Sequence, residues 1–497
     1  MNSEQKDTNR IKQLFVQGVA WRTVADFLIR LRSIILLPIL TRTFGAADYG
    51  VWTQIGNTVT MLSSLGTFGL GGALNRYLPG LQSKEQKQQF WMVISVLMLG
   101  GLLVATPILI FAEAIAQAFF GGSANAIFVQ LGVLLMLIKL MQTHLLLYFK
   151  LSLRINVYSG LLIFQSILAL IGYLGAALVG KNLLAVVSIA IIVDLIITVI
   201  VLIWIARVLG FGRPDFSSLR KYLVYGLPTL PLGFLNWALN SSDRFAVAYF
   251  LGPEELAIYA VAYGISIWSI QVVVTPIWTA VPGALNNLWN TGRQDEAISM
   301  LKTIFKFYFL GVTPIFSIIF YWGEFIIVNY AGESYGAGAV IIIFVLTAYL
   351  IEYTSSFYRT VLAWYEKTKV FLWTFSITAL GNLILNLILI PRYGIVGAAM
   401  STTAAYSLLF IFELIISRRI HKVDLPYGKA LSTLGLGLLT AGVVSRLPMD
   451  GWLAFFGQLA LFILVFFTLG FAFRLIRINE LRAISEFLRK KERHTKA

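Results

Sequence analysis

The sequence contains no cysteine, only three histidines and few charged residues. The absence of cysteine excludes disulfides, thiolate catalysis and iron–sulfur clusters. The three scattered histidines argue against a histidine metal site, and we expect no cofactor. Charged residues make up 12% of the chain, whereas soluble domains carry about 25%. The 497 residues therefore do not form a water-soluble globule.

Hydrophobic residues make up 58% of the chain. A helix needs about 20 apolar residues to cross a bilayer, and fourteen stretches are long enough. We therefore predict an all-α integral membrane protein with about fourteen transmembrane helices. The predicted spans, numbered in chain order, cover residues 13–38, 49–73, 88–112, 124–149, 157–179, 183–206, 222–250, 255–284, 302–328, 337–362, 368–390, 395–417, 430–447 and 452–473.

Basic residues collect in every second gap between these spans. They occupy both termini and each gap that follows an even-numbered span. Cationic residues accumulate on the cytoplasmic side of short loops. We therefore expect a multi-pass membrane protein with both termini in the cytoplasm. In the other gaps, or within a few residues of them, the only basic residues are Arg42, Lys181, Arg244, Arg392 and Arg446.

An internal repeat divides the chain. Residues 44–52 align with residues 251–259, and a weaker match places Arg154 on Lys367. We predict two parallel six-helix lobes at 1–210 and 211–422, two additional helices at 423–476, and a cytoplasmic basic amphipathic tail at 477–497. Transporters are often built from such repeats, with the substrate site between the halves. The alternative is a duplicated scaffold without transport.

Charged residues inside spans are costly and mark pathways or internal pairs. In span 1, Arg22, Asp26 and Arg30 recur every four residues and so share one helix face. Asp26 can pair with either arginine, which leaves one cation free to bind an anion such as a pyrophosphate. The alternative is a structural ladder in which the charges of the stripe neutralise one another. Arg32 points off this face and is expected to reach the membrane interface. Lys139 in span 4 adds a second cation.

Span 7, the repeat partner of span 1, carries Asn236, Asn240, Asp243 and Arg244. Two amides, with Arg244 beside them, suit hydroxyl-rich sugars. The alternatives are hydrogen bonds that hold helices together and, for the charged pair, a position on the outer surface.

Span 10 carries Glu352 and Arg359 on one face. Arg359 is predicted either to contact substrate in the cavity or to be an ordinary residue at the cytoplasmic end of its span. Glu413, near the end of span 12, is expected to pair with Arg418 or Arg419.

Three acidic residues are candidates for ion coupling. Asp194 is a lone acid in span 6, and an unpaired buried carboxylate tends to be protonated or to bind a cation. Asp26 and Glu352 are the other two, while a structural hydrogen bond is the alternative for Asp194. The sequence has no Gly-x4-Gly-Lys-Ser/Thr nucleotide-binding motif. Any coupling is therefore to H+ or Na+, to the membrane potential, or to consumption of the product.

Four motifs run from residue 32 to about residue 400. They are Arg32–Gly50, Asn75–Pro79, Asn240–Arg244 with Leu251–Glu255 and Tyr259, and Asn386–Ala399. Together they resemble the polysaccharide transporters of the MOP flippase superfamily, the Wzx-type lipid-linked oligosaccharide flippases. This resemblance also implies the plasma membrane of a bacterium or an archaeon.

The resemblance implies two lobes around a central cavity that opens alternately to the two faces of the membrane. It also implies a substrate of sugars joined by pyrophosphate to a polyprenyl lipid, used in O-antigen, capsule or exopolysaccharide assembly. The expected partners are this lipid, membrane lipids, and the polymerase and chain-length regulator of the pathway, with no nucleic acid. A MATE-like drug or cation antiporter is the alternative within transport, and a membrane enzyme acting on polyprenyl-linked sugars is the other class.

The alternation of basic gaps generates a topological prediction. A cysteine introduced in place of Lys84 or Lys367 is expected to resist a membrane-impermeant maleimide applied to intact cells, because both positions lie in basic gaps. A cysteine in place of Arg446 is the control and is expected to react. The native chain offers a cysteine-free background. Labelling of the Lys84 or Lys367 position from outside would contradict the topology.

Overall fold

The computed structural model describes residues 3–180 and 182–475. The tail predicted at 477–497 lies outside the described residues. Within them the regular structure is entirely helical, which confirms the predicted fold class. The long and short α-helices are α1 Ser3–Gly66, α2 Leu70–Tyr77, α3 Ser83–Ile110, α4 Ala112–Phe119, α5 Ala126–Leu151, α6 Ile155–Gly175, α7 Leu183–Val208, α8 Leu219–Gly226, α9 Leu230–Leu251, α10 Pro253–Asn290, α11 Gln294–Ala331, α12 Ala339–Trp364, α13 Thr368–Ile420, α14 Tyr427–Val444 and α15 Gly451–Ala472.

Two of these helices each contain two predicted spans. α1 holds spans 1 and 2 and is broken at Gly45, and α13 holds spans 11 and 12 and is broken at Gly394. Ten helices of the described ranges are long and apolar enough to cross a membrane. α1 and α9 are not among them, because charged and amide side chains interrupt their apolar sequence. The number fourteen therefore stays a prediction.

Equivalent positions of the sequence repeat have the same backbone conformation. Gly45 (φ 75°, ψ 176°) and Gly252 (φ 87°, ψ 178°) both end a helix segment in a region that favours glycine. The weaker match shows the same agreement, because Leu153 and Glu366, just before the aligned basic residues, have φ of 57° and 56°. These matched angles support a duplication of the backbone.

The described residues separate into two compact units, which meet at Ile258 and Tyr259. In the first unit α9 packs on α1 and α4. Phe119 of α4, for example, lies 5.7 Å from the ring of Phe245. The two six-helix lobes at 1–210 and 211–422 were inferred from the sequence repeat alone, and they stay a prediction. In the second unit α14 and α15 pack on α11, where Trp322 Nε1 donates to Gln458 Oε1 at 2.7 Å.

The two copies of the repeated motif touch each other inside the first unit. Gly50 of α1 lies against the backbone of Pro253, the first residue of α10, so closely that a Cβ atom at Gly50 would overlap the Pro253 carbonyl. A backbone carbonyl cannot move aside as a flexible side chain can. Glycine at position 50 is thus required by packing.

Replacing Gly50 is therefore expected to destabilise the protein. We predict that Gly50→Ala lowers the thermal unfolding midpoint in detergent, with a cost of about 1–3 kcal/mol as for other overpacked sites. Gly160→Ala is the matched control, because nothing lies within 4 Å of the added methyl group and alanine favours helix. Equal midpoints for the two variants would contradict the close approach.

Candidate functional site

An ionic network joins three helices of the first unit. Lys139 Nζ of α5 lies 2.7 Å from Asp194 Oδ2 of α7. The other carboxylate oxygen, Oδ1, accepts a hydrogen bond of 2.6 Å from Gln165 Nε2 of α6. Gln142 donates to the Asp194 backbone carbonyl at 3.3 Å. The description of Asp194 as a lone acid is therefore wrong, because its charge is balanced by a lysine 55 residues earlier in the chain.

The exposures of this pair are unequal. The Asp194 side chain is 7% exposed, whereas that of Lys139 is 41% exposed. The acid is therefore fixed within the protein, while the ammonium group has open space on its other side. Such a lysine can exchange its internal partner for an incoming anion.

That open space is a cavity of about 400 Å³ formed by α1, α5, α6 and α7. Arg32, Lys139 and Asp194 are the charged residues that line it, so the lining has a net charge of +1. The polar groups of Thr60 and Gln165 also line it. Its aromatic lining consists of Trp52 and Tyr173, whose rings meet edge to face at 5.8 Å.

Sequence reasoning did not assign Arg32 and Gln165 to a site. Arg32 was expected at the membrane interface, but it lines the cavity together with Ile29, three residues earlier on the same face of α1. Gln165 had a usable signal, because it is a polar residue in the middle of predicted span 5. A search for amides as well as charges within spans would have found it.

The predicted stripe of span 1 is only partly a spare cationic site. Arg22 pairs with Asp26 through two contacts of 2.8 and 3.0 Å, and the arginine lies 5.2 Å from the ring centre of Tyr158. Arg30 also has an interaction partner. None of the three charged residues lines the cavity described above. This arrangement favours the structural ladder over the leftover cation.

The polar residues of span 7 form a chain of contacts along α9. Asn240 Nδ2 donates to the Asn236 carbonyl at 2.7 Å, and Arg244 Nη1 donates to the Asn240 carbonyl at 2.6 Å. Asp243 is 2% exposed and Arg244 15%, with 3.7 Å between their charged atoms. The pair is thus buried, which excludes the alternative of an exposed surface pair.

A second ionic cluster lies in the second unit, between α12 and α13. Arg359 Nε lies 2.8 Å from Glu413 Oε1, and its Nη1 lies 3.2 Å from Glu352 Oε1. Glu413 is fully buried and also accepts a hydrogen bond from Ser355 Oγ. Arg359 is thus a half-buried residue paired with two carboxylates and not an ordinary residue at the end of its span. One arginine between two carboxylates leaves a net charge of −1 if all three are ionised.

The partner expected for Glu413 was wrong. Arg418 and Arg419 lie five and six residues further along the same helix, and that spacing places them on a different face. Glu413 instead faces α12, where it meets Arg359. Among the described side chains, no group of three His, Asp or Glu residues is arranged to hold a metal ion.

A many-helix membrane fold with ionic clusters inside its helices is typical of membrane transport proteins. A family model described as "Polysaccharide biosynthesis protein" matches residues 15–282, more than half of the chain. The chain therefore belongs to the polysaccharide biosynthesis protein family, and it shares its fold with the flippase and the transporter named below.

Three known proteins illustrate the relationship. An uncharacterized membrane protein of Methanocaldococcus jannaschii, MJ1068, is 23% identical over 435 residues, covering 81% of this chain and 84% of that protein. The lipid II flippase MurJ, in an inward closed conformation, has a TM-score of 0.74 at 16% identity, covering 92% of this chain and 100% of MurJ. An inward-facing multidrug resistance MATE transporter of the MOP superfamily has a TM-score of 0.57 at 13% identity, covering 79% of this chain and 94% of that one.

The burial of Glu413 generates a stability prediction. Arg359→Met is expected to destabilise the protein by about 3–5 kcal/mol, because removal of one partner leaves a buried charge without compensation. Adding Glu413→Gln to this variant should recover part of the loss. The measurement is thermal unfolding in detergent.

The control for this prediction is Arg293→Met. Arg293 pairs with Glu296 at 2.6 Å, but the two side chains are 59% and 57% exposed. Water and salt screen such pairs, so little change is expected. Similar midpoints for Arg359→Met and Arg293→Met would show that the buried cluster contributes no more than a surface pair.

Proposed function

We propose that this chain is a Wzx-type secondary transporter. It moves polyprenyl-pyrophosphate-linked oligosaccharide units from the cytoplasmic to the outer leaflet by alternating access, for O-antigen, capsule or exopolysaccharide assembly. The observation that carries the proposal is the cavity of the first unit, in which Arg32 and Lys139 outnumber the single acid Asp194.

The chemistry of the cavity lining suits such a substrate. Pyrophosphate carries several negative charges, and arginine and lysine are the side chains that bind phosphate oxygens. Gln165 and Thr60 offer hydrogen-bonding groups for sugar hydroxyls. The rings of Trp52 and Tyr173 supply apolar surface for the faces of sugar rings. The cavity thus combines the three kinds of contact that a lipid-linked sugar phosphate requires.

The comparisons favour the same substrate class. The family is one of polysaccharide biosynthesis, and MurJ is by its description a flippase of lipid II. The fold is also shared with MATE transporters, so a MATE-like drug or cation antiporter is the competing function. The net positive charge of the cavity lining favours an anionic ligand over a cationic drug.

The remaining parts of the proposal follow from the sequence. The protein acts in the plasma membrane with both termini in the cytoplasm, and it is a transporter and not an enzyme. It needs no cofactor, and the polymerase and chain-length regulator of the pathway are its proposed partners. Asn236, Asn240 and Arg244 remain candidates for contacts with the oligosaccharide.

Ion coupling is the least constrained part of the proposal. Asp194 is held by Lys139, and Asp26 is held by Arg22. Glu352, in contrast, shares Arg359 with Glu413. Two carboxylates near one arginine are not fully neutralised, so binding of H+ or Na+ lowers the repulsion between them. This makes Glu352 the coupling candidate that the geometry favours.

A substitution of Lys139 tests the substrate-binding role. Lys139→Gln is expected to reduce polymer export by about 10- to 100-fold, the range expected for loss of a charged contact to phosphate. Asp194 is only 7% exposed and loses its cation in this variant, so the protein level is measured as well. The double variant Lys139→Gln/Asp194→Asn removes both charges and should keep that level near normal. Polymer at the cell surface and polyprenyl-linked oligosaccharide inside the cell are measured together, and the latter should accumulate.

Two further variants sharpen this test. Lys150→Gln removes the same charge at the exposed end of the same helix and should leave export unchanged. Asp194→Asn leaves Lys139 without its counter-ion, so it should tighten binding of a polyprenyl diphosphate to the purified protein. Tighter binding of an organic cation by the Lys139→Gln variant, with normal polymer export, would instead favour the antiporter.

A further inference from the structure

A second cavity of the first unit is separate from the candidate site. Its volume is about 590 Å³, and it lies where α3 begins, beside the ends of α5 and α7 and the segment that follows α7. It shares no residue with the lining of the cavity that contains Arg32 and Lys139. Its lining residues are Ser83, Lys84, Gln86, Lys87, Gln88, Tyr148, Val208, Leu209, Gly212 and Arg213.

All the charged residues that line this cavity are positive. Lys84, Lys87 and Arg213 contribute three cations, and no carboxylate belongs to the lining. None of the three makes an ion pair within the described part of the chain. Like charges held together repel one another unless an anion lies between them. The cluster is therefore complementary to a ligand with one or more phosphate groups.

Tyr148 provides an independent indication of a ligand. Its side chain is 5% exposed, it lines the cavity, and its ring packs edge to face against Phe90 at 5.3 Å. Among the described residues its hydroxyl has no hydrogen-bond partner. The rest of the side chain is buried, but the hydroxyl oxygen keeps accessible surface where the residue lines the cavity. It can therefore donate to an oxygen of a bound molecule.

The start of α3 adds a third favourable feature. This helix has 28 residues, and no side chain caps its first turn. The free N–H groups and the positive end of the helix dipole attract anions. Ser83, the first residue of the helix, lines the cavity beside Lys84.

The segment after α7 fixes one cation and gives the cavity an apolar rim. A Cβ atom at Gly212 would lie 2.5 Å from Lys87 Cγ, whereas one at Gly210 would meet only the flexible Nζ end of the lysine at 2.8 Å. Trp91 Nε1 donates to the Gly210 carbonyl at 2.9 Å. The ring of Phe211 stacks on Trp91 at 5.1 Å and is 72% exposed. Exposed aromatic rings beside basic residues are typical of the membrane–water interface.

We propose that this cavity binds a phosphate group carried by a membrane lipid. Lys84, Lys87 and Arg213 hold the phosphate oxygens, Tyr148 donates a hydrogen bond to one of them, and Phe211 contacts the hydrocarbon beside the headgroup. The lipid source of the phosphate is either an anionic phospholipid or a polyprenyl diphosphate. The proposal does not depend on the transport substrate, because the two cavities share no residue.

The test uses the purified full-length protein in a neutral detergent. Short-chain phosphatidylglycerol is titrated, and the unfolding midpoint is followed, since a ligand that binds only the folded state raises it. The midpoint should rise to a plateau with phosphatidylglycerol and not with phosphatidylcholine. The Lys84→Gln/Lys87→Gln/Arg213→Gln variant should lose this rise. Lys302→Gln/Lys367→Gln/Lys369→Gln is the charge-matched control and should keep it, because these lysines do not line the cavity.

A single substitution tests the site independently, in case the triple variant does not fold. Tyr148→Phe keeps the ring and its packing and should weaken phosphatidylglycerol binding about tenfold through the lost hydrogen bond. A rise with polyprenyl diphosphate but not phosphatidylglycerol, lost in the same variants, supports the site and identifies the other lipid source. An equal rise with inorganic phosphate alone would overturn a lipid ligand. Unchanged binding in both the triple variant and Tyr148→Phe would overturn the site itself.

Discussion

The cost of holding charge inside a membrane is the constraint on which the rest of this structure depends. A buried ion costs several kcal/mol unless a partner lies close to it. Asp194 and Glu413, at 7% and 0% exposure, are each in contact with a basic side chain from another helix. These pairs connect α5 to α7 and α12 to α13. Sliding either helix by one residue would turn a charge away from its partner, so each pair fixes the register of two helices.

The features that were predictable from the sequence are local ones. Apolar length gives the helices, because a helix satisfies its own backbone in a membrane. The repeat at Gly45 and Gly252 was visible because glycine is favoured where φ is positive, and both positions have nearly the same angles. The shared face of Glu352 and Arg359 was likewise a matter of helical spacing, and the two side chains are paired at 3.2 Å.

Partner choice between helices was not predictable, because it depends on how the helices pack. Asp194 was interpreted as a lone acid since no base lies one turn away in its own helix, yet Lys139 from α5 neutralises it. Glu413 was assigned to arginines of its own helix and meets Arg359 of α12 instead. Arg22 and Asp26 were chosen as site candidates because of their helical spacing. The arginine of α1 that lines the cavity is instead Arg32, three residues beyond the cavity residue Ile29.

The ionic clusters of the two units carry opposite residual charge. In the first, Arg32 and Lys139 outnumber Asp194, whereas in the second Glu352 and Glu413 outnumber Arg359. An anion gains most from the first cluster and a cation or proton from the second. In the function proposed above, the first cluster recognises the anionic substrate and the second binds the coupling ion.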